Sequence, residues 1–279
     1  MRHYKYDLEW LEGNSLMGQV ASQRYLAGVK DQQSGLLHPL KYTLGLAKAA
    51  QEMGIDLFEE SPVQNWSGKD EASLMLLNAS LKANYLVLAA NAYLGTLGKK
   101  LSQRLMPVGT YMIATEPLGS NRAGQLLPDN SAVADINFVL DYFRLSADQR
   151  LLFGGGVSYS TIPPVNVRTY LRKRMLKVFP YLDDVKLEYG WGGLIGITRN
   201  RMPNFGRLAP NVFLAHGFSG HGVALTGLAG KLMAEVIGGT AERFDVISQI
   251  PHLPFPGGPL LRMPALLLGT TWYRLRDLL

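Results

Sequence analysis

Two short, wholly apolar runs lie far apart in this chain, and they constrain its fold more than any other feature. Tyr85 to Ala90 reads YLVLAA and Val212 to Ala215 reads VFLA. A run without polar alternation suits a strand covered on both faces, as parallel strands are inside an α/β layer. Between the two runs the texture changes. Thr110 to Glu116, Phe138 to Leu145, Leu151 to Val157 and Val185 to Ile197 read as strands separated by turns, with a helix over Pro163 to Phe179. This middle block predicts an antiparallel sheet covered by a helix. The expected fold class is α/β plus α+β, one layered domain interrupted by an inserted antiparallel sheet.

The remaining elements follow from local signals. Arg24 to Val29 reads as a short strand. Pro39 opens a helix over Leu40 to Met53, with Leu44, Leu46, Ala47 and Ala50 available for one face and Gly54 as its stop. Ile55 to Glu59 is a strand candidate. Val63 to Trp66 and Ser73 to Leu77 form a small antiparallel pair over Ser67 to Glu71. A short helix is expected from Ala92 towards Gln103, and another over Val223 to Ile237, closed by Gly238 and Gly239. The tail from Phe244 to Leu279, with many Pro and Gly, is expected to wrap the surface.

Composition removes several function classes. The absence of Cys excludes disulfides, thiolate metal sites and thiol catalysis. The net charge of +6 comes from scattered Lys and Arg. Arg172-Lys173-Arg174 reads as a solvated helix face, and no nucleic-acid-binding signature accompanies it, so nucleic acid is not an expected partner. Met1 to Glu12 is too charged and aromatic for a signal peptide, and no apolar run reaches the roughly 20 residues of a membrane span. A cytoplasmic protein without a membrane partner is expected.

The sharpest segment for chemistry is His216 to Gly222, HGFSGHG, between a short strand and a helix. Its glycines permit close backbone approach to a ligand, and a helix start offers free N–H groups and partial positive charge. An ordinary glycine-rich turn would look the same. The segment is not a nucleophile elbow, because His221 stands where the second Gly is required. His216 and His221 are badly spaced for one metal and have no carboxylate beside them, so no metal site is expected. Upstream, Arg199 to Arg207 (RNRMPNFGR) reads as a tight loop that would meet the glycine segment at strand ends, where open α/β sheets bind ligands.

These segments carry a resemblance. The order RMPNFGR … NVFLAHGFSGHGVALTGLAGKLMAEVIGG is similar to the C-terminal flavin-binding segment of the D-amino-acid oxidase-like FAD-dependent oxidoreductases. SQRYLAGVKDQQSGLLHPLKY, LAANAYLG, LDYFRLSADQRLLFGGGVSY and AERFDVISQIPHLPFPGG resemble its amine-oxidising members in putrescine catabolism. The similarity runs from about Ser22 to the end. It implies non-covalent FAD, since no Cys can tether it, and oxidation of an amine C–N bond with oxygen as acceptor. The implied substrate is small and of the gamma-glutamylputrescine kind. By the same resemblance, Val63 lies where the backbone meets the adenine, and Ala90 and Asn91 lie near the FAD phosphates and ribose. Met202 and Pro203, with Gly217, Phe218, Ser219, Gly220, His221 and Gly222, border the ribityl chain and isoalloxazine ring. Relatives that act on small N-methyl amino acids carry a Lys where this chain has Ala224, which favours a long amine with a distant carboxylate. Tyr142, Arg144 and Trp191 are pocket candidates, with Phe218 and His221. The alternative for the first three is core packing, or plain surface for Arg144.

The family opens with a strand and a Gly-x-Gly-x-x-Gly turn that cradles the FAD pyrophosphate. That spacing is absent here. The expectation is a partial FAD-binding, glutathione-reductase-like domain over residues 23–105 and 198–243, without its N-terminal Rossmann βαβ unit. A substrate-binding sheet spans 106–197, residues 1–22 are a linker remnant, and 244–279 are a tail. Such a chain would correspond to the C-terminal two-thirds of the family pattern, and by itself would bind FAD weakly or not at all and have no oxidase activity. It would be half of a split flavoenzyme with a separate N-terminal fragment as partner, a truncated enzyme, or a non-catalytic remnant.

Overall fold

The computed structural model describes residues 6–257 except 69, 138 and 159–163, together with 264, 268 and 272. The chain enters through β1 (Glu9–Glu12), α1 (Gly13–Met17) and β2 (Ala27–Lys30), with β1 and β2 paired antiparallel. The stretch expected to be a linker is therefore folded. Leu11, Leu16 and Val20 are buried, and the Ser22 hydroxyl donates to the Val178 carbonyl at 2.6 Å. Three apolar side chains spaced along a polar segment were enough to anchor it. Its first five residues lie outside the described residues.

Helix α2 (Pro39–Glu52) starts as its sequence requires. Pro39 occupies the first turn, and His38 Nδ1 accepts the Lys41 N–H at 3.3 Å. Yet none of its residues is buried, and Leu40, Leu44 and Leu46 are all more than half exposed. Ile55 to Glu59, expected as a strand, is not one. Strands exist through pairing, and no described strand lies beside this segment.

Next, β3 (Asn65–Gly68), β4 (Ala72–Met75) and β5 (Ser80–Ala83) form a small antiparallel sheet. Strand β6 (Leu86–Leu88) follows. Two 3-10 turns, Asn91–Tyr93 and Gly95–Gly98, then lead into a single helical turn, α3 (Lys99–Ser102). The continuous helix expected from Ala92 is broken because Gly95 adopts φ +53°.

The largest body is a five-stranded antiparallel sheet, order β11-β7-β10-β9-β8. Its strands are β7 (Leu105–Thr115), β8 (Val133–Ala134), β9 (Asp141–Leu145), β10 (Leu151–Ser158) and β11 (Leu187–Thr198). Helices α4 (Gly119–Leu126) and α5 (Val167–Val178) supply the packing partners. Residue 138, at the start of the expected second strand region, and residue 163, at the start of the expected helix, lie outside the described residues. One face of the sheet, with Tyr111, Ile113, Phe143, Leu151 and Phe153, packs on Leu126, Leu171, Met175 and Phe179. Phe143 stacks on Phe153 at 5.8 Å and meets Phe179 edge-on at 5.0 Å. Asp141, almost fully buried beneath β10, pairs with Arg174 Nε at 2.6 Å. Burial raises its carboxyl pKa although Arg174 pulls the other way. The pair therefore fixes geometry more than it adds stability.

After the insert come β12 (Asn204–Ala209), β13 (Val212–His216), α6 (Gly222–Ile237) and α7 (Glu242–Ser248). Strand β13 pairs antiparallel with β12 and parallel with β6, giving the order β12-β13-β6 with β6 at the edge. The reason for the unbroken apolar run in β13 is plain. Phe213 and Ala215 face α6 and α7, while Val212 and Leu214 face Leu88, Leu94 and Leu101. The segment from Phe244 was expected to wrap the surface. Instead Phe244 is buried on α7, edge-on to Phe205 and Phe213. Beyond α7, Phe255 N–H donates to Gln103 O at 2.9 Å, and its ring packs on Met106, Val108, Ile195 and Ile197. Most of the tail after 257 lies outside the described residues.

Phe153→Ala removes a ring with no exposed surface from the largest core. A loss of about 3–5 kcal/mol in unfolding free energy is expected, read from denaturant midpoints at constant m-value.

Candidate functional site

The glycine segment folds into a strained turn between β13 and α6. Gly217 and Gly220 adopt φ of +74° and +98°, and Ser219 does so at +53° without being glycine. Four hydrogen bonds hold this turn. Gly217 N–H donates to Asn91 Oδ1 at 2.9 Å and Ser219 N–H donates to Gly196 O at 2.9 Å. Thr198 N–H donates to Ser219 Oγ at 3.3 Å, and that hydroxyl donates to Gly217 O at 3.1 Å. Thr198 Oγ1 also donates to Met202 O at 2.7 Å. The close fit depends on glycine at two places. A Cβ on Gly196 would lie 2.5 Å from Asn91 Oδ1, and one on Gly217 would lie 2.4 Å from Thr198 Cγ2.

The turn thus joins the carboxyl ends of β6, β11 and β13. Asn91, Met202 and the glycine segment come together there, with the exposed Ala90 preceding Asn91 and the partly buried Pro203 following Met202. Val63 stands two residues before β3, on a different sheet. Phe218, a pocket candidate by sequence, is buried against Phe205 at 6.4 Å, because the turn tucks its ring into the core. Ser219 is buried too, whereas Gly220 and His221 are exposed. The sixteen-residue α6 begins without a side-chain cap, so no capping side chain takes up its first N–H groups or offsets its positive end.

The face of the five-stranded sheet opposite the core is set by register. Tyr142 pairs with Gly154, Gly154 with Met112, and Met112 with Trp191, which makes one row across four strands. The next row is Arg144, Leu152, Ala114 and Tyr189. All three strand-borne pocket candidates therefore share one face. A Cβ on Gly154 would lie 2.2 Å from the Tyr142 ring, so the ring lies across its glycine neighbour. Burial, then the charge of Asp141, raises the Tyr142 pKa, and its hydroxyl stays protonated at neutral pH. Trp191 is half exposed.

Behind the turn lie buried polar groups that no sequence signal marked. His216 is fully buried, and its Nε2 meets Asn204 Nδ2 at 3.0 Å while Nδ1 has no hydrogen-bond partner. Burial, then the charges of His252 and Arg104, lower its pKa to about 4. It is neutral at physiological pH and cannot serve as a cation there. Thr198 and Asn204 read as turn residues in the sequence, and nothing in their spacing marked them as braces.

A sequence model of the FAD dependent oxidoreductase family, DAO, matches residues 1–236. The chain belongs to this family. It is 43% identical over 99% of its length to the gamma-glutamylputrescine oxidoreductase of Escherichia coli (strain K12), of which it covers 65%. It is 39% identical over 97% of its length to the probable oxidoreductase OrdL of Haemophilus influenzae, of which it covers 63%. The chain thus spans a little under two-thirds of the curated relatives it matches. In fold it is similar to a glycine oxidase from Geobacillus kaustophilus, with TM-score 0.74 and 20% identity over 85% of this chain and 64% of that one. An L-proline dehydrogenase from P. horikoshii gives TM-score 0.70 and 19% identity, covering 85% and 66%. FAD is the cofactor of the family. The open glycine turn and the uncapped start of α6 suit the electron-rich edge of its ring system. No helix among the described residues is long and apolar enough to cross a membrane.

Asn91→Ala leaves the part-buried Gly217 N–H without its acceptor. Stability should fall by about 1–2 kcal/mol, and amide exchange should quicken first around Gly217 to Gly220, read by mass spectrometry. The depressed pKa of His216 has a definite sign. The unfolded chain takes up its proton below about 6.5 and the folded chain only below about 4. Stability is therefore complete above 6.5 and is lost as pH falls towards 4. Denaturation at pH 7 and pH 4.5 should show this loss, and His216→Asn should flatten it.

Proposed function

We propose that this chain carries the ring-facing turn and the substrate-facing sheet of an FAD-dependent amine oxidoreductase with oxygen as acceptor. Residues 23–105 and 198–243 form the cofactor-facing part, 106–197 the substrate-facing part, and the cytoplasm is its place of action. The substrate is a long amine of the gamma-glutamylputrescine kind. One observation carries the reading: the turn at Gly217 to Gly222 is tied by Asn91 to the turn after β6, and by Gly196 and Thr198 to an antiparallel sheet with an open aromatic face. The 43% identity to the gamma-glutamylputrescine oxidoreductase supports the substrate class.

Bound FAD would take a hydride from the carbon beside the amine and pass the electrons on. This chain's residues do the positioning. The first N–H groups of α6 stabilise negative charge at the ring edge. Small, exposed Ala89 and Ala90 leave room beside the carboxyl end of β6. Trp191 and Tyr142 offer apolar surface to a methylene chain and exclude water from it. Ala224, in the first turn of α6, presents no cation to a carboxylate beside the reacting carbon, which suits a substrate whose carboxylate is remote.

A companion segment with a Gly-x-Gly-x-x-Gly turn completes the pyrophosphate cradle, joined to this chain or carried by a separate one. The exposed leucines of α2 and the open edge of β6 support this part of the reading, since such surfaces call for a cover. The same surfaces also favour the second reading, a non-catalytic remnant.

The test is an FAD titration of the chain alone and of the chain co-expressed with the dinucleotide-binding segment of a curated relative. Weak binding alone, and a yellow complex that makes peroxide from gamma-glutamylputrescine when combined, is the expected result. A chain that is yellow and active alone would remove the need for the companion. A combined sample that stays colourless would leave the remnant reading standing.

A further inference from the structure

The open face of the five-stranded sheet carries a cation without a partner among the described residues. Each other arginine described on this sheet and its helices is engaged. Arg122 pairs with Asp184, and Arg150 pairs with Asp148 and Glu188. Arg174 pairs with Asp141, while Arg168 and Arg172 donate to backbone carbonyls. Arg144 makes no hydrogen bond, ion pair or ring contact among the described residues, although it is partly buried on β9. Its backbone pairs with Leu152, so its side chain shares the open face with Tyr142, one step back along the strand. A half-buried guanidinium with no anion beside it is the sort of group a carboxylate ligand completes.

The geometry around it favours a small anion at the end of a chain. Tyr142 is turned across the sheet over Gly154 instead of lying along its own strand. Across the same row from Arg144, Tyr189 is covered by Arg150 at 5.3 Å, whose charge is already taken up by Asp148 and Glu188. One free positive group therefore stands about 7 Å beyond the Tyr142 row, given the strand repeat. An extended gamma-glutamyl amine holds its carboxylate about 12 Å from its free amine. A ligand lying over the Tyr142 row with its amine towards the glycine turn would point its carboxylate towards Arg144.

We propose that Arg144 is the anchor for a substrate carboxylate remote from the oxidised carbon, and so selects acyl amines that end in a free acid. This rests on the amine oxidoreductase reading for its substrate, but the subsite lies wholly on the sheet of this chain. Arg144 fixes which amines bind and where they lie, and takes no part in bond-breaking.

The experiment measures calorimetric binding of N-glutarylputrescine, which keeps the remote carboxylate of gamma-glutamylputrescine, and of N-butyrylputrescine, which differs from it only in lacking that carboxylate. It uses the full chain co-expressed with the companion segment and with FAD present, as wild type, Arg144→Met and Arg144→Lys, with thermal melts to verify folding. The wild type should prefer the acid by about 10- to 100-fold, the worth of a charged hydrogen-bonded pair. Arg144→Met should lose that preference and keep its affinity for the neutral amide, while Arg144→Lys should keep part of it. An undiminished preference in Arg144→Met, or none in the wild type, overturns the proposal. Visible flavin absorbance in the same samples tests the parent reading separately: a chain that selects the acid but never holds flavin, even with the companion segment, retains the anchor and loses the oxidoreductase.

Discussion

The hydrogen bond from Gly217 N–H to Asn91 Oδ1 is the point on which the site depends. It ties the turn after β13 to the turn after β6, the two parallel strands of the layer. Asn91 can do this because it adopts φ +45°, which asparagine tolerates better than most residues. The same side chain lies where a Cβ on Gly196 would intrude, so it also sets how near β11 can come. One amide thereby sets the position of the glycine turn relative to two sheets. Thr198 and Ser219 repeat the connection from the other side. The strain at Ser219 is maintained because these neighbours leave it no other arrangement.

This suture explains why the two parts of the chain share a site although their cores are separate. The large core lies between the five-stranded sheet and α4 and α5, and the second lies under α6 and α7. Among the described residues, the two apolar clusters share no member. The junction is polar and backbone-rich, with the ring of Phe255 added over Met106 and Ile195. Such a junction is specific in geometry and modest in energy, because each net hydrogen bond contributes only about 1 kcal/mol.

The sequence was most legible where burial is symmetrical. Strand β13 announced itself because both its faces are apolar, and the strands of the inserted sheet because their faces differ. The glycine turn was visible because few other residues tolerate its dihedrals. Partners were harder to read. The spacing of Leu40, Leu44 and Leu46 marks a face able to be buried, but periodicity does not say what lies opposite, and here that face is open. Ile55 to Glu59 has strand composition and no strand beside it. Residues 1–22 looked like connection because only Leu11, Leu16 and Val20 carry their packing. Asn91, Thr198 and Asn204 are the least legible, since a polar residue after a strand reads as a turn whether it braces a site or merely faces water.

The electrostatics of the site follow from the same economy of charged groups. His216 stands one residue before the turn and would be the obvious cation, but its burial keeps it neutral. The backbone, through the uncapped start of α6, then adds positive potential at the turn. On the sheet, every arginine but Arg144 finds a partner among the described residues. Two positive features remain, a helix end at one side of the open face and a guanidinium at the other, with Trp191, Met112 and Tyr142 between them. Backbone donors cannot titrate and an arginine does not titrate in any ordinary range. Neither of these two features changes its charge with pH, and His216, held neutral by burial, acts on the stability of the scaffold.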